Sequence, residues 1–240
     1  MSDQSAMNKC IVAILIVLKL SDPTQAQSTN KTEKSLSFGI KGGVAFSTIF
    51  VSAPVSITDL TGSSFTNRTV TGNMYGVMGR YLSEKHFGLQ IEANYTQKGW
   101  KEVFQDAQSN VDPNRSYQVS LDYLTVPILA HGHFGQRHVQ IFLNAGFYLA
   151  YLLAYETVLS ENALDHDEIT FPYQEVDQNS FDLGIQGSGG VEIVTAAGNV
   201  QLESGYALGL NSVVDKYAES VPTTLQNSTF WVALGYLYAF

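Results

Sequence analysis

Seven charged residues stand apart because each falls, in a stretch of alternating residues, opposite a row of bulky apolar side chains: Lys41, Arg80, Glu92, Lys98, Asp182, Glu192 and Glu203. Cations and carboxylates in such surroundings can do one of two things. They can pair with one another in a buried network, or they can line a polar path for ions or protons. A lone buried charge costs several kcal/mol, so pairing is the expectation. Lys41 and Arg80 are expected to pair with Glu92, Glu192 or Glu203. A second set is purely acidic and aromatic. Glu161, Asp165, His166, Asp167, Glu168, Phe171, Tyr173, Glu175 and Asp177 lie in a stretch, 157–180, that contains no Lys or Arg. Its run Asp165-His166-Asp167-Glu168 offers hard oxygens of the kind calcium takes, but it lacks the glycine and the regular spacing of a dedicated calcium loop. Solvated surface charge, with Phe171, Pro172 and Tyr173 as a protein-binding surface, is the expectation there. His131 and His133 share one face of a strand, with His138 near, and read as rim side chains rather than metal ligands.

Other chemistries have less support. Neither CxxC nor HExxH occurs, so no zinc site is expected, and no cofactor is indicated. GSGG at Gly187–Gly190 is no phosphate loop, because no helix follows it. The only cysteine is Cys10, so there is no disulfide framework. Net charge is −9, which argues against nucleic acid as a partner. No serine has a His and an acid at telling positions, and the chain is expected not to be an enzyme.

The elements that must position these residues are strands. The stretch TFWVALGYLYAF, Thr229–Phe240, puts Phe230, Val232, Leu234, Tyr236, Tyr238 and Phe240 on one face. Trp231, Ala233, Gly235, Leu237 and Ala239 fall on the other, and a period of two is the strand period. Seven similar stretches precede it, beginning near Leu36, Met74, Phe87, Tyr117, Gln140, Phe181 and Val200. In the fourth, Pro127 leaves the facing open and argues for a bulge. Charged residues are only 15% of the chain, against about 25% in soluble domains. Three connections are tight, at 83–86, 135–138 and 195–198. The others are long: 47–69, 101–116, 157–180 and 211–227. Short and long alternate, which is the layout of an outer-membrane barrel with short periplasmic turns and long outer loops. The expected fold is therefore all-β, an eight-stranded antiparallel up-and-down transmembrane β-barrel over 36–240. The bulky faces meet lipid, and the seven charges line the interior with many small residues. Upstream, a basic start at Met7-Asn8-Lys9 precedes the apolar run CIVAILIVL and then SDPTQA. That order predicts a signal peptide over 1–26, cut after Ala26, with 27–35 as a periplasmic lead-in. The run is too short for a membrane-spanning helix.

The segments FGIKGGVAFS, YTQKGW, LDYLTVPIL, LNAGFYLAYLL, FDLGIQGSGGVEI and VQLESGYALGL resemble the PorT-like family of bacterial outer-membrane barrels. The resemblance runs from about Leu36 to Phe240. It implies the fold and the outer-membrane location, names no catalytic residues, and connects the founding member of the family to assembly of a protein-secretion machine. The expected role is a membrane-anchored binding scaffold or a subunit of an envelope or secretion assembly. A narrow or gated channel for small solutes or protons is the alternative, and an enzyme acting on envelope lipid a third. The expected partners are outer-membrane lipid, an envelope protein reached through the outer loops, and the barrel-assembly machinery during insertion.

Overall fold

The computed structural model describes residues 35–52, 64–83, 86–105, 111–136, 138–160, 179–213 and 224–239. The signal-peptide expectation, most of the lead-in and the acidic stretch 161–178 lie outside the described residues. Eight strands follow in order: β1 (Ser35–Ser52), β2 (Ser64–Leu82), β3 (Phe87–Gln105), β4 (Val111–Gln136), β5 (Val139–Ser160), β6 (Phe181–Thr195), β7 (Gly198–Gly209) and β8 (Thr224–Ala239). Each pairs antiparallel with the next, and β1 pairs with β8, so the sheet closes on itself. Closure removes both sheet edges, which is how a strand as apolar as β8 escapes edge-to-edge aggregation.

The alternation read from the sequence is the alternation of the walls. Phe230, Leu234, Tyr236 and Tyr238 of β8 are exposed, while Trp231, Ala233, Gly235 and Leu237 are buried inside. Outward apolar residues form a continuous belt, with Phe38 and Ile40 on β1, Ile141, Leu143 and Phe147 on β5, and Leu183 and Ile185 on β6. Aromatic pairs mark its upper edge, towards the long connections: Tyr75–Tyr95 with centroids 4.8 Å apart, and Tyr151–Phe181 at 5.2 Å. Immediately above Tyr75 and Tyr95 the outward face turns polar. Asn73 donates from its side chain to Gln97 Oε1 at 3.2 Å, and Gln97 Nε2 donates to Asp122 Oδ1 at 3.2 Å. Lys101 continues that polar face on β3.

Two expectations require correction. The strands run past the apolar belt at their loop ends, so the connections are shorter than the hydropathy suggested. Residues 53–63, 106–110 and 214–223 separate the strands or their described continuations, and the second outer connection, 106–110, is nearly as short as the tight turn 83–86. On β2, β3 and β4 the outward side chains above the belt become polar, as at Asn73, Gln97 and Asp122, and the apolar alternation fades there. Pro127 makes no bulge. β3–β4 register is the same on either side of it, with Ile91 opposite Ile128 and Asn94 opposite Thr125. β4 irregularities fall instead between Asp122 and Tyr123 on the β5 side, and near Val103 on the β3 side. Pro127 itself points inward and is buried. The interior holds large side chains beside its many small ones. Trp100, Tyr117, Tyr123, Phe142, Tyr148 and Trp231 are all buried within it.

The inward glycines explain how such rings fit. A Cβ on Gly184 would lie 2.4 Å from the Tyr148 ring, and one on Gly205 would lie 2.3 Å from the Trp231 ring. Each aromatic side chain crosses directly over a glycine on a neighbouring strand.

Candidate functional site

The barrel interior is the one place where the described residues bring charge together. Strand tilt and register stack its polar residues in three layers, named here from the turn end upward. In the lowest, Arg80 of β2 donates from Nη1 to Glu192 Oε2 at 2.6 Å, from Nη2 to Gln201 Oε1 at 2.9 Å and from Nε to Gln90 Oε1 at 2.8 Å. Its guanidinium also lies 5.7 Å from the centroid of the Phe142 ring. Beside it, His131 bonds through Nδ1 to Asn144 Oδ1 at 2.7 Å. His131 is therefore an interior side chain, 1% exposed, and not the rim residue expected.

One layer up, Lys41 of β1 holds two carboxylates, Glu92 at 2.6 Å and Glu203 at 3.3 Å. Glu92 is the better satisfied of the two. Gln90 Nε2 donates to its Oε1 at 2.6 Å and Asn94 Nδ2 to its Oε2 at 2.7 Å. The third layer pairs Lys98 of β3 with Asp182 of β6 at 2.9 Å. Asp182 also accepts from Tyr148 at 3.2 Å and from Asn227 Nδ2 at 2.8 Å. The Lys98 ammonium sits 4.6 Å from the Tyr148 ring centroid and 5.0 Å from that of Tyr123. All seven residues singled out from the sequence are thus buried inside the barrel. The pairing of Lys98 with Asp182 was not legible there, because the two lie 84 positions apart and only barrel closure sets them level.

Above the third layer the interior becomes apolar. Ile49, Trp100, Tyr117, Val119, Leu121, Tyr123 and Leu225 form one buried cluster. Together with the layers below, it fills the bore, as an eight-stranded barrel allows. Sequence reasoning missed one acid here. Glu102, assigned to a loop, is on β3 opposite Tyr117, is 2% exposed, and has an Oε2 with no hydrogen-bond partner among the described residues. It stands above the apolar belt, and burial pushes its carboxyl up to about 8. The available signal was its inward parity with Glu92, Asn94 and Lys98.

Chemically, this arrangement pairs charge within the bore rather than presenting it. Three cations meet four carboxylates, with Lys41 shared between two. Among the described residues no group of three or more His, Cys, Asp or Glu side chains is placed to hold a metal ion. The acidic set from Glu161 to Asp177 lies outside the described residues.

A family model described as "Outer membrane protein beta-barrel domain" matches residues 25–215. Comparison with curated proteins finds no match. Among solved structures, outer membrane protein OprG from Pseudomonas aeruginosa is 12% identical, with 86% of this chain and 98% of that chain covered and a TM-score of 0.43. Neisserial surface protein A is 14% identical over 83% and 96% of the two chains, with a TM-score of 0.39. Outer membrane protein W of E. coli is 13% identical over 88% and 100%, with a TM-score of 0.37. At that distance nothing about activity passes from them to this chain.

Proposed function

Since the chain belongs to the outer membrane protein beta-barrel domain family, and so to the bacterial outer membrane, we propose that it is a non-enzymatic, membrane-anchored scaffold that presents its outer connections to an envelope protein. The PorT-like resemblance points within that reading to a subunit of an envelope or secretion assembly. The observation that carries it is the filled interior. Every charge in the three layers is matched within 3.3 Å, and an aromatic and aliphatic cluster covers the uppermost layer. A bore filled this way supports attachment better than passage, and function then falls to the loops a rigid scaffold carries.

The test has two arms. Crosslinking in intact cells, followed by pull-down through a tag placed after Gln27, is expected to recover a stoichiometric envelope protein. Shortening 161–178 is expected to lose that protein while the barrel still inserts. The same purified barrel in a planar bilayer is expected to give no steady conductance. Large regular openings would replace the scaffold reading with the channel, and recovery of the barrel alone would remove the assembly role.

A further inference from the structure

Between the second and third layers the interior contains a cavity of about 20 Å³, walled by Lys41, Asn94, Lys98, Thr125, Gln186 and Thr229 among others. We propose that this cavity is a binding site for a single internal water molecule, and that this water joins the two ion-pair layers into one hydrogen-bonded column.

The size fits one occupant, since a water needs at least about 10–15 Å³ of such space together with two to four polar partners. The partners are present. Asn94 and Thr125 face each other across β3 and β4, and both wall the cavity. Asn94 Oδ1 and Thr125 Oγ1 are buried with no hydrogen-bond partner among the described residues. Native proteins leave few such atoms unsatisfied.

The chemistry of the walls selects water over an ion. The Asn94 amide is held in one orientation, because its Nδ2 donates to Glu92 Oε2 at 2.7 Å. Its oxygen is therefore an acceptor that needs a donor, and a halide has none to give. A cation would donate or be coordinated, but the same cavity is walled by two lysines, Lys41 and Lys98. Only a neutral group that both donates and accepts suits an amide oxygen, a hydroxyl and an ammonium together. Such a water donates to Asn94 Oδ1, exchanges a hydrogen bond with the Thr125 hydroxyl, and accepts from a lysine.

Its placement has a structural consequence. Below it a continuous chain runs from Gln201 through Arg80, Gln90 and Glu92 to Asn94. Above it stands Lys98–Asp182 with Tyr148 and Asn227. The water closes the interval between them. The apolar cluster over the third layer shuts the column off at the loop end, so the water is trapped rather than one of a file, and its exchange with bulk solvent is slow.

The test is NMR cross-relaxation on the full chain refolded into detergent micelles. The readouts are cross-peaks at the water frequency to the Thr125 methyl group and the Asn94 side-chain amide. Both are expected, with the sign of a long-lived bound water. Folding is checked in each sample by the shift in gel mobility on heating. In Thr125→Val, which keeps the shape and removes the hydroxyl, the cross-peak to the Asn94 amide is expected to fall at least several-fold. A folded wild type with no cross-peak at either group would overturn the site, as would an undiminished peak in folded Thr125→Val. Adding ammonium chloride or sodium bromide is expected to leave both signals in place. A saturable shift of these resonances with either salt would show an ion site and overturn the assignment to water.

Discussion

Lys41 is the residue on which the interior balance turns. It faces Glu92 and Glu203 with both partners essentially unexposed, so Lys41→Met leaves two carboxylates together in a water-poor space. Removing one partner of a buried pair typically costs about 3–5 kcal/mol. Thermal unfolding of the refolded barrel in detergent is expected to show a loss of that order. Replacing both members of the upper pair, as Lys98→Met with Asp182→Leu, is expected to cost far less, because no uncompensated charge remains. Equal losses in the two variants would count against this account. Glu102 makes the opposite prediction, because it is buried with no ion pair among the described residues. Its folded carboxyl titrates near 8, against 4.5 when exposed. Below that lower value both states hold the proton and the residue contributes no pH dependence. Between the two values the unfolded chain releases its proton and the folded barrel keeps it, so stability falls as pH rises, by up to about 1.4 kcal/mol per unit. Above about 8 the penalty is constant. Glu102→Gln is therefore expected to raise the unfolding midpoint more at pH 8 than at pH 5. A midpoint difference independent of pH would show that the carboxyl is already satisfied.

At the scale of the element, β8 shows how one strand serves two solvents. Its outward residues meet the acyl chains, and its inward Trp231 and Leu237 fill the bore. Leu234 lies in the outward row between Phe230 and Tyr238 and is 62% exposed. Leu234→Arg places a guanidinium among acyl chains, and a cost of about 2–4 kcal/mol is expected near mid-membrane. Measuring the folding equilibrium into lipid vesicles checks it, and a cost near zero would mean that this face is not in lipid. β4 carries the complementary lesson. Pro127 lacks an N–H, yet the β3–β4 register passes through it unshifted. The strand tolerates the missing donor because its other edge stays paired, with Pro127 opposite Tyr148 on β5.

For the whole molecule, the bore is closed twice, by salt-bridged layers at the turn end and by an aromatic and aliphatic cluster towards the loop end. Arg80→Ala opens the lowest layer alone. It is expected to leave the barrel non-conducting in a planar bilayer, because the Lys98–Asp182 pair and the cluster around Trp100 and Tyr123 remain. Steady current through Arg80→Ala would show that the polar layer is the only seal and would favour the channel.

Eight strands and the lipid-facing rows of β1, β5 and β8 were legible because a membrane imposes one solvent on one face, and side chains then alternate with a period of two. Burial of Lys41, Arg80, Glu92 and Glu203 followed from the same alternation, since a charge opposite a row of bulky apolar residues has only the interior to enter. Beyond the belt that constraint lapses, which is why Glu102 passed for a loop residue and why the strands proved longer than their apolar runs. What only the tertiary structure decided is who meets whom across the bore. Register and tilt, fixed when β8 closed on β1, brought Lys98 level with Asp182, laid Trp231 over Gly205, and left between the layers a space the size of one water.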